Sequence, residues 1–145
     1  MTEFPLKVAL VAVVILCWSS SVAQANPYKA VADLPAGPRA THVRITQGPE
    51  LESASTHSAI IRWTSDNPGG SDEHFGVVTF GTDPKNLSET AKSHIRLNRN
   101  HPYTIFRVWV DGLQPRTTYY FTVDSMEADG TRDGVKSRVG SFTTR

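Results

Sequence analysis

Cysteine is almost absent from this sequence, since Cys17 is the single cysteine among 145 residues. The chain can therefore form no internal disulfide and no thiolate metal centre, and its stability must come from packing. A strong charge of either sign is also lacking, because the formal net charge is +1. This balance argues against nucleic acid as a partner.

An apolar run long enough to cross a bilayer is lacking as well. The longest run, Val8 to Trp18, has about eleven residues, whereas a spanning helix needs roughly 20. Lys7 precedes the run, and Ala23 and Ala25 follow it as small residues of the kind found at a signal-peptide cleavage site. We therefore predict a cleaved signal peptide over residues 1–25, a secreted or periplasmic location, and no membrane contact after cleavage. A retained N-terminal anchor is the alternative.

No stretch of the sequence keeps a helical period of apolar residues for three turns. Residues 26–40 carry prolines and a glycine without an apolar period, which is typical of a leader or linker. From residue 41 to residue 145, short strand-like segments alternate with turn residues, which predicts one all-β domain. The predicted strands are Val43–Thr46, Ser58–Thr64, Phe75–Phe80, Ser93–Leu97, Thr104–Val110, Thr118–Ser125 and Arg138–Thr143. Surface loops are predicted at Asp66–Ser71, Gly81–Asn86 and Asp129–Gly134. Seven strands of this kind predict an immunoglobulin-like β-sandwich.

The alternation of side chains assigns the faces of the strands. Arg62 marks the outer face of its strand, so Trp63 and its alternate neighbours belong to the core face. The predicted core comprises Ala59, Ile61, Trp63, Phe106, Val108, Val110, Leu113, Tyr119, Phe121 and Val123.

The segment from Leu113 to Tyr119 has the pattern of a tyrosine corner. Leu113 closes one strand, Pro115 fixes φ, and Tyr119 opens the next strand. In such a corner the phenol hydrogen-bonds to the backbone just upstream. This feature is architectural and predicts no chemistry.

A candidate contact surface lies on the outer faces of two strands that are expected to pair. We call it the contact patch, and it consists of Ile60, Arg62, Ile105, Arg107 and Trp109. Exposed Trp and Arg side chains are enriched at energetically important contacts, so the mixed apolar and cationic patch predicts a protein partner. The alternative is a cross-strand ladder in which an arginine covers the Trp109 ring. Trp109 or Tyr120 could also stack on a sugar ring, which would indicate a carbohydrate-binding module.

Motifs for catalysis or cofactor binding are weak. The histidines, at positions 42, 57, 74, 94 and 101, stand singly. Asp72, Glu73 and His74 are the best metal candidates, but a solvated loop is the better interpretation of them. No Gly-x-Ser-x-Gly turn occurs. We therefore expect no catalytic residue, no metal and no cofactor.

Several of these features resemble a known family. Trp63, the Leu113–Tyr119 corner and the closing Ser141–Thr144 segment resemble a fibronectin type III domain. More narrowly, the sequences RITQGP, RWT, FGTDP and FTT, which begin at Arg44, Arg62, Phe80 and Phe142, resemble the N-terminal sandwich of the purple acid phosphatases.

In that family a separate metallophosphoesterase domain follows the sandwich and supplies Asp, Asn, His and Tyr ligands to two metals. The Gly-Asp pair and the Gly-Asn-His motif of that domain do not occur in this sequence. The resemblance therefore implies a secreted, non-catalytic interaction or accessory module, whose protein partner could be a hydrolase domain. The alternative that it implies is the N-terminal fragment of such an enzyme without its catalytic domain.

Overall fold

The computed structural model describes residues 43–97, 100–132 and 135–145. The predicted signal peptide and leader lie outside the described residues. The described strands are β1 (Ile45–Ala54), β2 (Ala59–Asp66), β3 (Glu73–Gly81), β4 (Glu89–Arg96), β5 (Tyr103–Val110), β6 (Thr118–Glu127) and β7 (Gly140–Thr143).

The strands form two antiparallel sheets that pack face to face. One sheet has three strands in the order β1-β2-β5, and the other has four in the order β4-β3-β6-β7. Seven strands were predicted, and each predicted strand overlaps an observed one. The all-β, seven-stranded sandwich is thus confirmed for the part of the chain that is described.

Strand β1 is much longer than the sequence predicted. The expected strand ended at Thr46 because the following Gly48-Pro49 pair is typical of a turn. Gly48 instead takes a positive φ of 82°, and the pairing with β2 continues to Ala54 through three shifts in register. A side chain at Gly48 would meet the Arg62 carbonyl oxygen at 3.1 Å, so the bulge depends on glycine.

Strand β4 also begins four residues before the predicted Ser93, at Glu89. Its burial alternates between exposed and half-buried positions, as expected for an edge strand. Its first four residues, 89–92, include only one apolar side chain, Ala91, and for this reason the sequence showed no alternation there.

The predicted core is confirmed in full. All ten residues assigned to it are buried and belong to one hydrophobic cluster, together with Val78, Phe80 and Phe142. Trp63 stacks on Phe106 with ring centroids 5.1 Å apart. At the corner end, Tyr119 stacks on Phe142 at 5.8 Å.

The tyrosine corner forms as predicted. The Gln114 amide donates to the Tyr119 phenol oxygen at 3.0 Å, across the turn that contains Pro115. Leu113 is buried beneath it and donates its amide to the His57 carbonyl oxygen at 3.0 Å. Thr144 closes the corner from the other side, because its hydroxyl donates to the Gln114 carbonyl at 2.6 Å and accepts from the Thr117 amide at 2.9 Å.

The loop after β2, which was predicted to lie at the surface over Asp66–Ser71, is exposed at Gly70 and Ser71 but buried near its start. Asn67 and Pro68 are fully buried. The Asn67 amide donates to the Pro102 carbonyl oxygen, and its side-chain oxygen accepts from the Thr104 hydroxyl, both at 2.9 Å. These bonds hold Asn67 in the end of the sandwich, where its buried backbone amide and side-chain oxygen both have partners.

Candidate functional site

The structure brings the five residues of the contact patch together on the outer face of the three-stranded sheet. Strands β2 and β5 pair without a break, which places Ile60 opposite Trp109 and Arg62 opposite Arg107. Ile105 lies opposite Thr64 in the same register. Two arginines directly opposite one another repel, so this face needs acidic partners.

Strand β1 supplies those acidic partners. Arg62 donates to Glu50 at 2.8 Å, and Arg107 donates to Glu52 at 2.7 Å. Both glutamates lie in the part of β1 beyond Thr46, where the predicted strand ended. The apolar part of the predicted mixed patch is present, and its two guanidinium groups are each paired with a carboxylate of β1.

Exposed apolar side chains concentrate on β5. Trp109 is 60% exposed, and Tyr103 and Ile105 are exposed on the same face at alternate positions. Sequence analysis missed Tyr103 because the predicted strand began at Thr104. Extending the alternation of residues 105, 107 and 109 back by two positions would have found it.

Comparison with protein families decides the relationship. Residues 38–144 match the family described as purple acid phosphatase, N-terminal domain. The chain belongs to this family. The match includes all seven strands of the sandwich, and it confirms the resemblance seen in the sequence motifs.

Solved structures similar to this N-terminal domain share little sequence with it. The sensor domain of the anti-sigma factor RsgI4 from Pseudobacteroides cellulosolvens has 22% identity and a TM-score of 0.48, with 70% of this chain and 93% of that chain covered. A human fibronectin type III domain, from fibronectin type III domain containing protein 3, has 16% identity and a TM-score of 0.43, with 74% and 90% covered. The FN5 domain of Drosophila Lar has 19% identity and a TM-score of 0.37, with 77% and 97% covered. No curated protein matches the chain in sequence.

The best metal candidates of the N-terminal domain do not assemble into a site. Glu73 and His74 were predicted to lie in a solvated loop, but they open β3, and His74 is fully buried. Asp72 and His74 have the Asp-x-His spacing of a metallophosphatase metal motif. Between them, the Glu73 carboxylate contacts His94 at 3.3 Å and is not grouped with these two residues. Within residues 43–97, 100–132 and 135–145, no three His, Cys, Asp or Glu side chains are grouped closely enough to hold a metal ion.

The buried residues Asp124 and His74 differ in their hydrogen bonding. Asp124 is buried, and its carboxylate accepts from Arg132 at 3.0 Å and from the Ser125 amide at 2.8 Å. The Asp124 pair therefore joins β6 to Arg132 in the segment that follows the strand. Neither ring nitrogen of His74 has a hydrogen-bond partner in the described part of the chain.

Tyr120, the other aromatic residue proposed for sugar stacking, lies on the opposite sheet. It is half-buried on β6 between Gly81 of β3 and Ser141 of β7. It therefore cannot join Trp109 in one site. No helix among the described residues has the length and apolar character needed to cross a membrane.

Proposed function

We propose that this chain is a secreted, non-catalytic accessory module that acts by binding a protein partner. The observation that carries the proposal is the family match over residues 38–144, because it assigns nearly the whole described sandwich to a domain defined as N-terminal in a phosphatase. A fibronectin-like sandwich hosts many functions, so the role has to be argued from its surface.

The contact patch and its neighbour Tyr103 form the surface on which we place that function. Large apolar side chains that are exposed on one face often mark a contact site. Trp109, Ile105 and Tyr103 lie in one row along β5. The Arg62–Glu50 and Arg107–Glu52 pairs beside this row would give a partner both signs of charge to complement.

A phosphatase catalytic domain is the partner class that the family relationship favours. Titration calorimetry with a purple acid phosphatase catalytic domain from the same organism measures the affinity of the chain for this partner class. Ile105→Asp should weaken binding at least about tenfold, because it places an unpaired charge inside the contact. Val139→Asp is the matched control, since Val139 is an exposed apolar residue outside the contact patch. Equal binding by both variants would remove the contact patch from the proposal.

The second candidate function is the N-terminal part of a longer metallophosphatase. The family name itself favours this candidate, because it describes a domain of that enzyme. Sequencing the transcript beyond the codon for Arg145 distinguishes the two. A metallophosphoesterase domain in the same reading frame would support the enzyme, whereas a stop codon would support the separate module.

The non-catalytic role is tested by assaying the purified chain with an aryl phosphate and added divalent metals. We expect no turnover above that of the metals alone. Turnover that follows the protein through purification would overturn the proposal.

A further inference from the structure

Trp109 also borders a groove on the side of the sandwich. The groove lies between the end of β5 and the beginning of β4 and has a volume of about 620 Å³. Ligand sites in proteins have volumes of roughly 300 to 1,000 Å³. We call it the Trp109 groove, and it is lined by Phe80, Glu89, Thr90, Ala91, Lys92, Trp109 and Asp111.

The charged groups of the Trp109 groove are available to a ligand. The side chains of Glu89, Lys92 and Asp111 make no hydrogen bond or ion pair with any described residue. The arginines of the adjacent contact patch are instead held by glutamates. The groove therefore offers two carboxylate acceptors and one ammonium donor beside an exposed indole.

We propose that the Trp109 groove binds a saccharide whose pyranose rings carry equatorial hydroxyl groups. Such a ring has an apolar face of C–H groups that stacks on an indole, and a rim of hydroxyl groups. The hydroxyls donate to Glu89 and Asp111, and a ring or hydroxyl oxygen accepts from Lys92. This inference goes beyond the proposed contact with a protein partner, because it names a second ligand class for a neighbouring part of the surface.

Other ligand classes fit the groove less well. An anion would meet the two carboxylates of Glu89 and Asp111. A cation would meet the ammonium group of Lys92, and of the two aromatic rings in the lining Phe80 is buried, so only Trp109 offers an exposed face where cation-binding cages use several. A neutral polyhydroxylated ligand can use all three charged groups at once.

Retention of the purified full chain on insoluble cellulose, chitin and xylan tests the proposal, because all three polymers present equatorially substituted pyranose rings. We expect retention on at least one. Trp109→Ala should weaken it about tenfold or more through loss of the stacking surface. Val139→Ala is the control and should bind normally, since Val139 is an exposed apolar residue outside both the contact patch and the groove.

The polar half of the groove is tested separately. The double variant Glu89→Gln and Asp111→Asn should bind several-fold more weakly, whereas Glu73→Gln, which alters an exposed ion pair with His94 outside the groove, should bind as the unmodified chain does. Retention on none of the three polymers, or equal retention of Trp109→Ala, would overturn the proposal. Retention abolished by high salt would also overturn it, because a neutral ligand is not screened.

These outcomes are independent of the proposed function. Turnover of an aryl phosphate would refute the non-catalytic role and leave the retention result readable. Failure on all three polymers would refute the saccharide site and leave the partner experiment with Ile105→Asp unaffected.

Discussion

The two ends of the sandwich satisfy their buried polar groups in different ways. At the corner end, the Tyr119 phenol and the Thr144 hydroxyl are bonded to backbone groups of the turn around Pro115. At the opposite end, the ring nitrogens of His74 and the side-chain nitrogen of Asn67 are buried without a partner among the described residues. The polar groups named at the corner end are all bonded, whereas the His74 end combines bonded groups, such as the Asn67 amide and Asp124, with buried nitrogens that have no partner among the described residues.

The largest expected loss of stability comes from a residue in the core between the two ends. Trp63 is buried at the centre of the core and stacks on Phe106. Trp63→Ala should lower the free energy of unfolding by about 3 to 5 kcal/mol, against a total of about 5 to 15 kcal/mol for a domain. Urea denaturation and amide hydrogen exchange would measure this, and we expect both ends to lose protection together.

The control for this variant is Trp109→Ala, which removes an exposed indole. It should change the free energy of unfolding by less than about 1 kcal/mol. If the corner end kept its protection in Trp63→Ala, the two ends would be separate folding units that do not depend on one shared core.

The next effect concerns the hydrogen bonds of the corner end. Thr144→Val keeps the shape of a buried side chain but leaves the Gln114 carbonyl and the Thr117 amide without their partner. The loss should be about 1 to 3 kcal/mol in the free energy of unfolding. Thr143→Val is a close control, because the Thr143 hydroxyl bonds only to the Thr118 hydroxyl on the surface, and it should cost less than about 0.5 kcal/mol. Equal effects of the two variants would mean that the corner bonds add nothing specific.

A smaller effect of opposite sign is expected at the other end. His74→Leu replaces a buried ring that has two unpartnered nitrogens, so it should raise the free energy of unfolding by up to about 1 kcal/mol. His57→Leu, at the corner end, should lower it by about 1 kcal/mol, because the His57 Nδ1 donates to the Leu113 carbonyl oxygen at 2.9 Å. Thermal unfolding of both variants measures the contrast. Destabilisation by His74→Leu would indicate that its ring is hydrogen-bonded in solution.

The corner end could be predicted from the sequence because its signals are local. Leu113, Pro115 and Tyr119 stand within seven residues, and the alternation of β2 and β5 gives the core face directly. The contribution of Thr144 could not be predicted in this way, since it bonds to Gln114 across 30 positions of the chain. Its identity as a corner residue depends on where β7 ends.

The His74 end and the charges of the contact patch were harder to predict for a different reason. His74 and Asn67 are polar and follow turn residues, a composition that is typical of a solvated loop. Glu50 and Glu52 reach the contact patch only because β1 continues through the bulge at Gly48. The positions of Ile60 and Trp109 followed from the pairing of two regular strands, whereas their acidic neighbours depended on an irregular one.

The smallest effect on stability is expected in the exposed turn at the His74 end, which contains Asp129 and Thr131. The Thr131 amide donates to the Asp129 carboxylate at 2.8 Å, and this bond, with help from the Thr131 hydroxyl, holds the pKa of Asp129 below its ordinary value. Because the folded-state pKa is the lower one, the ionised carboxylate stabilises the turn at neutral pH, and this contribution is lost as the pH falls through the folded-state pKa.

NMR titration of the Asp129 carboxyl carbon and the Thr131 amide would measure this shift. Thr131→Val should raise the pKa of Asp129 only part of the way to its ordinary value, because the backbone donor, which is the larger cause, remains. An ordinary pKa for Asp129 in Thr131→Val would make the hydroxyl the dominant donor. An ordinary pKa in the unmodified chain would show that the two Thr131 donors do not stabilise the ionised carboxylate of Asp129.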